Sequence, residues 1–142
     1  MDTIVGLGKA GCAIADKFAQ YPQYKTFKID SEGLDESDKR SYILKRQDHP
    51  EKYEKSTRSM KTFFKEATND VLFVLSGSGL VSGATLRVLK SLKGKSINIL
   101  YIKPDLEFLG QINIMQERLV RNVLQEYTRS GVFNRMYLVD NK

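Results

Sequence analysis

The chain has 142 residues, 41% of them hydrophobic and 28% charged. A chain of this length buries about two-thirds of its unfolded surface, so the composition predicts one globular domain over residues 1–142 and argues against disorder. With 23 Lys and Arg against 17 Asp and Glu the net charge is +6, which favours anionic partners such as nucleotides; a solvated surplus of lysine explains it equally well.

Cys12 and His49 are the only residues of their types. They exclude an intramolecular disulfide, weigh against a zinc site, and leave His49 as the sole imidazole base for nucleophilic catalysis. His49 beside Pro50 reads as a solvated helix-start residue. No apolar run approaches the about 20 residues of a membrane span, and Asp2, Lys9, Asp16 and Lys17 interrupt the first segment. Neither membrane insertion nor a signal peptide is expected, and the single cysteine fits a reducing, cytoplasmic compartment. No RNP-like aromatic motif or Cys/His finger is present, so nucleic acid is not the expected partner.

In chain order, residues 3–6 predict a short strand and residues 11–20 a helix, with Ile14 and Phe18 on one face. Tyr24–Asp30 alternates polar and apolar and predicts a strand, and Tyr42–Lys45 a short one. Asp48, Pro50 and Glu51 predict a capped helix start, and Tyr53, Met60, Phe64 and Ala67 extend its apolar stripe to about Thr68. Val71–Leu75 is a continuous apolar run, as in a parallel strand buried on both faces. After the Gly/Ser-rich residues 76–83, Ala84–Leu92 predicts a helix closed by Gly94. Ile97–Ile102 predicts a strand and Ile112–Tyr127 a helix burying Met115, Leu119, Val123, Leu124 and Tyr127. Met136–Val139 predicts a last strand. Alternating strands and helices predict a three-layer α/β sandwich with a mainly parallel sheet, whose ligand site lies beyond the carboxyl ends of the strands.

Two loops fall at those ends. Gly6, Gly8 and Gly11, with Lys9 and Ala10 between them, have the spacing of a tight turn that brings backbone amides to a phosphate at a helix N-terminus. A tight βα turn with no ligand would use the same glycines. Asp30 ends the next strand nineteen residues after Gly11, where a carboxylate can accept hydrogen bonds from a ribose. Cys12, at the helix start, reads as a small packing residue or as a thiol of lowered pKa. The second loop, Gly77, Ser78, Gly79, Leu80, Val81, Ser82 and Gly83, offers another flexible backbone, with Ser82 as a candidate N-cap. It lacks the Gly-Lys-Ser/Thr ending of a Walker A loop. The carboxylates at 30, 32, 35, 36 and 38 do not have calcium-loop spacing, and no metal ligand set is assigned.

These loops, in their order along the chain, resemble the tubulin/FtsZ family. GLGKAGCAIADKF resembles the family's first glycine-rich loop and helix, YKTFKID its second strand, and GSGLVSGA its signature GGGTGTGA. INILYIKPDLEFLG and MYLVDN are similar to its fifth and sixth strands. The resemblance implies strand order 3-2-1-4-5-6, bound GTP or GDP with Mg2+, and a filament-related or co-assembling protein. It implies nucleotide contacts at Gly6, Gly8, Lys9, Ala10, Gly11, Cys12, Asp30 and Gly77–Gly83, a ribose contact near Glu107, and no catalytic residue in this stretch.

The departures are specific. Leu80 and Val81 replace a threonine and a glycine of the signature and narrow the room beside the phosphates. Lys45 and Arg46 stand where the family has a glycine-rich loop facing the terminal phosphate, and would act by charge. The family's central helix, acidic activating loop and second domain have no counterpart in these residues, so little or no GTPase activity is expected of the chain alone. The expectation is a fragment of a longer protein or a shortened, viral relative. Two other readings stay open: a Rossmann NAD-binding domain of oxidoreductase or redox-sensing type, and a ligand-free interaction domain that kept the fold.

Overall fold

The computed structural model describes residues 2–105, 107 and 109–140. In chain order the elements are β1 (Thr3–Leu7), α1 (Gly8–Phe18), β2 (Lys25–Asp30), β3 (Ser41–Ile43), α2 (Pro50–Ser56), β4 (Asp70–Leu75), α3 (Thr85–Lys90), β5 (Ser96–Lys103), α4 (Gln111–Arg129) and β6 (Arg135–Asp140), with a 3-10 helix at Leu80–Ala84. All strand pairs are parallel, in the order β3-β2-β1-β4-β5-β6.

That order follows from the handedness of parallel crossovers. From β1 the chain steps one way to β2 and β3, then returns across the sheet to β4 and continues the other way. Right-handed connections place the helices of the two directions on opposite faces. Ile4, Leu72, Val74 and Ile102 accordingly pack with Ala15 of α1. Val5, Phe27, Phe73, Leu75, Ile99 and Tyr101 pack on the other face, with residues of α2, α3 and α4. The central strands β1 and β4 are covered from both sides, which is why VLFVL is apolar without alternation. The direction of stepping reverses between β1 and β4, and in open α/β sheets a ligand crevice forms at that reversal.

Three expected details differ. The helix predicted to reach about Thr68 ends at Ser56, because Thr57 leaves helical geometry (φ −72°, ψ 121°) and its hydroxyl donates to the Tyr53 carbonyl. Tyr53, Met60 and Phe64 still point inward, carried by turns rather than one helix. Asp48 forms an ion pair with Lys52 at 2.8 Å, while His49 holds the N-cap position of α2 without a side-chain hydrogen bond. The buried face of α4 runs through Glu117, Val120 and Leu124, while Met115 and Leu119 are exposed and Tyr127 is 40% exposed.

Close backbone packing fixes α1 on the sheet. A Cβ on Gly6 would collide with the carbonyl of Gly11, and a Cβ on Gly11 with that of Val74 in β4. Gly11→Ala should therefore lose about 1–3 kcal/mol of stability in a urea titration. Gly79→Ala, with no atom within 4 Å of its new methyl group, should stay within about 0.5 kcal/mol of the parent. Equal stability of the two variants would contradict this packing.

Candidate functional site

The carboxyl ends of β2, β1 and β4 lie nearly level, since Leu7 is in register with Ile29 and Leu75, while β5, whose Tyr101 is in register with Leu75, runs on to Lys103. Gly8, Asp30 and Ser76 are the next residues along their strands. They form one row at the rim of the sheet, astride the reversal in strand order.

No loop separates β1 from α1. Gly8, at φ +77°, turns the chain straight from strand into helix, a conformation glycine adopts without steric strain. The first turn of α1 holds no acidic residue, and among the described residues no side chain caps it. Its amide donors and the positive end of the helix dipole are thus free for an anion. Lys9 is exposed there, and Ala10 is half-buried against the sheet. Cys12 points the other way. Its thiol lies under the carbonyls of Gly6 (3.6 Å) and Ile29 (3.5 Å), and burial pushes its pKa up to about 12. It is the packing residue rather than the activated thiol.

The second loop is held from behind. A Cβ at Gly77 would strike the Tyr101 phenol. The Tyr101 hydroxyl in turn donates to Glu117 Oε1 at 3.2 Å. Burial, then the Glu117 charge, pushes the Tyr101 pKa up. Glu117 is only 2% exposed and pairs with Arg121 Nε at 3.3 Å. Ser82 is not an N-cap. It sits inside the 3-10 helix with its hydroxyl 2.9 Å from the Gly77 carbonyl and 2.5 Å from that of Gly79, and it accepts from Gln116 at 3.2 Å. Gly83 presses on the Pro50 carbonyl. Ser76, Ser78 and Gly79 are the parts of this loop left at least partly open to solvent ahead of Leu80 and Val81.

The two loops meet. A Cβ on Gly8 would lie 3.1 Å from Val81 Cγ2, so the valine side chain borders the mouth of the first turn. Leu80, 41% exposed, shares a 520 Å³ cavity with Arg46, Gln47 and Asp48. Arg46 is exposed, 3.9 Å from Glu32, and Lys45 is exposed beside it. Asp30 is 9% exposed and accepts the Ser31 amide at 2.7 Å. Glu107 is exposed, with its amide held by Asp105, and among the described residues no hydrogen bond or ion pair links it to either loop. The neighbouring Leu106 and Phe108, part of the segment likened above to a family loop, lie outside the described residues.

The Tyr101–Glu117–Arg121 group and the Gln116–Ser82 contact were not anticipated from sequence. The available signal was phase: Glu117, Val120 and Leu124 share one helical face.

Asp30 gives a test in the unliganded protein. Burial raises its pKa, with the Ser31 amide opposing and the Glu32 charge adding. A raised carboxyl pKa means the folded state binds more protons than the unfolded one, so this group's contribution falls as pH rises from the ordinary carboxylate range through the folded pKa. Asp30→Asn should therefore melt higher than the parent at neutral pH, with the gap closing in acid. A lower melting temperature at neutral pH would contradict it.

Among the described residues no helix is long and apolar enough to cross a membrane. No protein-family model matches the chain, and no curated protein matches it.

Proposed function

We propose that the chain is a nucleotide-binding module of tubulin/FtsZ type that takes GDP or GTP across the carboxyl ends of β1 and β4. One observation carries the reading: two glycine-bearing turns from neighbouring strands come into contact at the reversal of strand order, and the first has an uncapped helix N-terminus. The amides of Gly8, Lys9, Ala10 and Gly11 would meet one part of the polyphosphate, and the backbone of Ser78, Gly79 and Leu80 the other. Asp30 would accept from the ribose. Arg46, across a cavity from Leu80, would face the terminal phosphate by charge. Among the described residues no three His, Cys, Asp or Glu side chains converge on a metal position. A magnesium ion would therefore fit only as a passenger on the phosphates, neutralising their charge. The filament-related or co-assembling role and the cytoplasmic location belong to this proposal through the resemblance.

Val81 favours a second reading. Its side chain occupies space beside Gly8 that an approaching phosphate would use, as in a domain that kept the fold and lost the ligand. A thermal-shift panel with GDP, GTP, NAD and ATP separates the readings. GDP at about 100 times its Kd adds about 2.7 kcal/mol, on the order of 10 °C for a domain of this size. Val81→Ala should tighten GDP binding by opening that space. A shift with NAD and none with GDP would replace the proposal with a dinucleotide site. No shift with any ligand, in the parent or in Val81→Ala, would leave the interaction domain.

The acidic loop that the resemblance gives as activator of the attacking water is not among these residues. Phosphate release from saturating GTP should stay at background for the chain alone, and robust turnover would refute this.

A further inference from the structure

The other end of the sheet carries a second feature. Two turns lead into strands there: residues 91–95 into β5 and residues 130–134 into β6. Asn134 ties them together, its amide donating to the Ile97 carbonyl at 2.9 Å and its side chain to Ser96. Between the turns lies a cavity of 570 Å³ lined by Leu86, Leu89, Ile97, Tyr127, Val132 and Phe133, within the range of about 300–1,000 Å³ for ligand sites. Val132 is 61% exposed at its edge.

Lys90, Lys93 and Lys95 also line it. Lys95 is committed to the fold, donating to the Ala67 carbonyl at 3.1 Å. Lys90 and Lys93 are exposed, and among the described residues neither has an ion-pair partner. No Asp or Glu occurs between Val71 and Pro104, and Glu126, on the adjoining helix, is paired with Arg129. An apolar hollow flanked by Lys90 and Lys93, neither in an ion pair among the described residues, is complementary to apolar side chains on an acidic segment.

We propose that this groove docks an acidic peptide segment of a partner protein, with one or two large apolar side chains seated in the hollow and flanking carboxylates on Lys90 and Lys93. The shape favours a peptide over a lipid surface, because the apolar atoms line a recess rather than a protruding edge. The chemistry favours it over nucleic acid. The hollow is mainly aliphatic and Phe133 is 4% exposed, which leaves Tyr127, 40% exposed and tilted 6.0 Å from the Phe133 ring, as one aromatic side chain rather than a run of them for successive bases to stack on. The proposal is independent of nucleotide binding.

Fluorescence anisotropy tests it on the full chain, with a labelled short peptide of alternating glutamate and leucine clusters. Its lysine-for-glutamate counterpart, phosphatidylserine vesicles and a single-stranded oligonucleotide serve as competing probes. The acidic peptide should bind, lose affinity as salt is raised, and bind at least about tenfold more weakly to Lys90→Glu/Lys93→Glu and to Val132→Asp. Those positions are exposed, and unchanged circular dichroism of the variants checks the fold. Absence of binding, equal binding of the lysine peptide, or indifference to all three substitutions would overturn the proposal. So would stronger Lys90- and Lys93-dependent binding of vesicles or oligonucleotide.

Discussion

Contact between backbones, with no side chain between them, is the constraint on which the molecule is built. Gly6 and Gly11 let the first turns of α1 lie against the ends of β1 and β4, where a Cβ from either would meet a carbonyl group. The helix can then begin at the residue after the strand, and its unpaired amides come out at the rim of the sheet. The same approach buries Cys12 beneath two carbonyls and packs Ala15 with Ile4, Leu72 and Val74. Packing and the proposed anion site are thus two results of one geometry, so the glycines alone do not separate a ligand-binding domain from one that only packs this way.

The second loop rests on a different principle. Gly77 presses against a phenol and Gly83 against a carbonyl, and the buried Ser82 hydroxyl is already engaged with the loop's own carbonyls. What remains for a ligand is backbone and the hydroxyls of the half-buried Ser76 and Ser78. Behind it, the buried Glu117 carboxylate is offset by the Tyr101 hydroxyl and the Arg121 guanidinium. Removing one member of such a set leaves a buried charge or donor unmatched. The loop is therefore supported by α4, and its conformation depends on a helix far from it in sequence.

Most of the fold was legible because its signals are local. VLFVL, INILYI and the strand–glycine–helix junction each point to one structure, and the strand order implied by the resemblance is the order found. What was illegible depended on tertiary context. Thr57 ends a helix that the spacing of Tyr53, Met60 and Phe64 would have continued, because its hydroxyl competes for a backbone carbonyl. On α4 two apolar stripes compete. The one with Met115 and Leu119 has more hydrophobic residues, but the one with Glu117 faces the sheet, where the Tyr101 hydroxyl donates to the carboxylate and the Arg121 guanidinium offsets its charge without hydrogen-bonding through Nε. For the site, the glycines and Asp30 were readable in position. The inward turn of Cys12 and Ser82, and the placement of Val81 against Gly8, were not, since each is set by a neighbour distant in sequence.

The central claim is that both glycine turns grip one polyphosphate. Amide chemical-shift mapping of the nitrogen-15-labelled chain during a GDP titration tests it most directly. The account predicts that the amides of Gly8–Gly11 and of Ser78–Leu80 shift together, along one saturation curve. Shifts confined to one turn, or to neither while the protein remains folded, would contradict it.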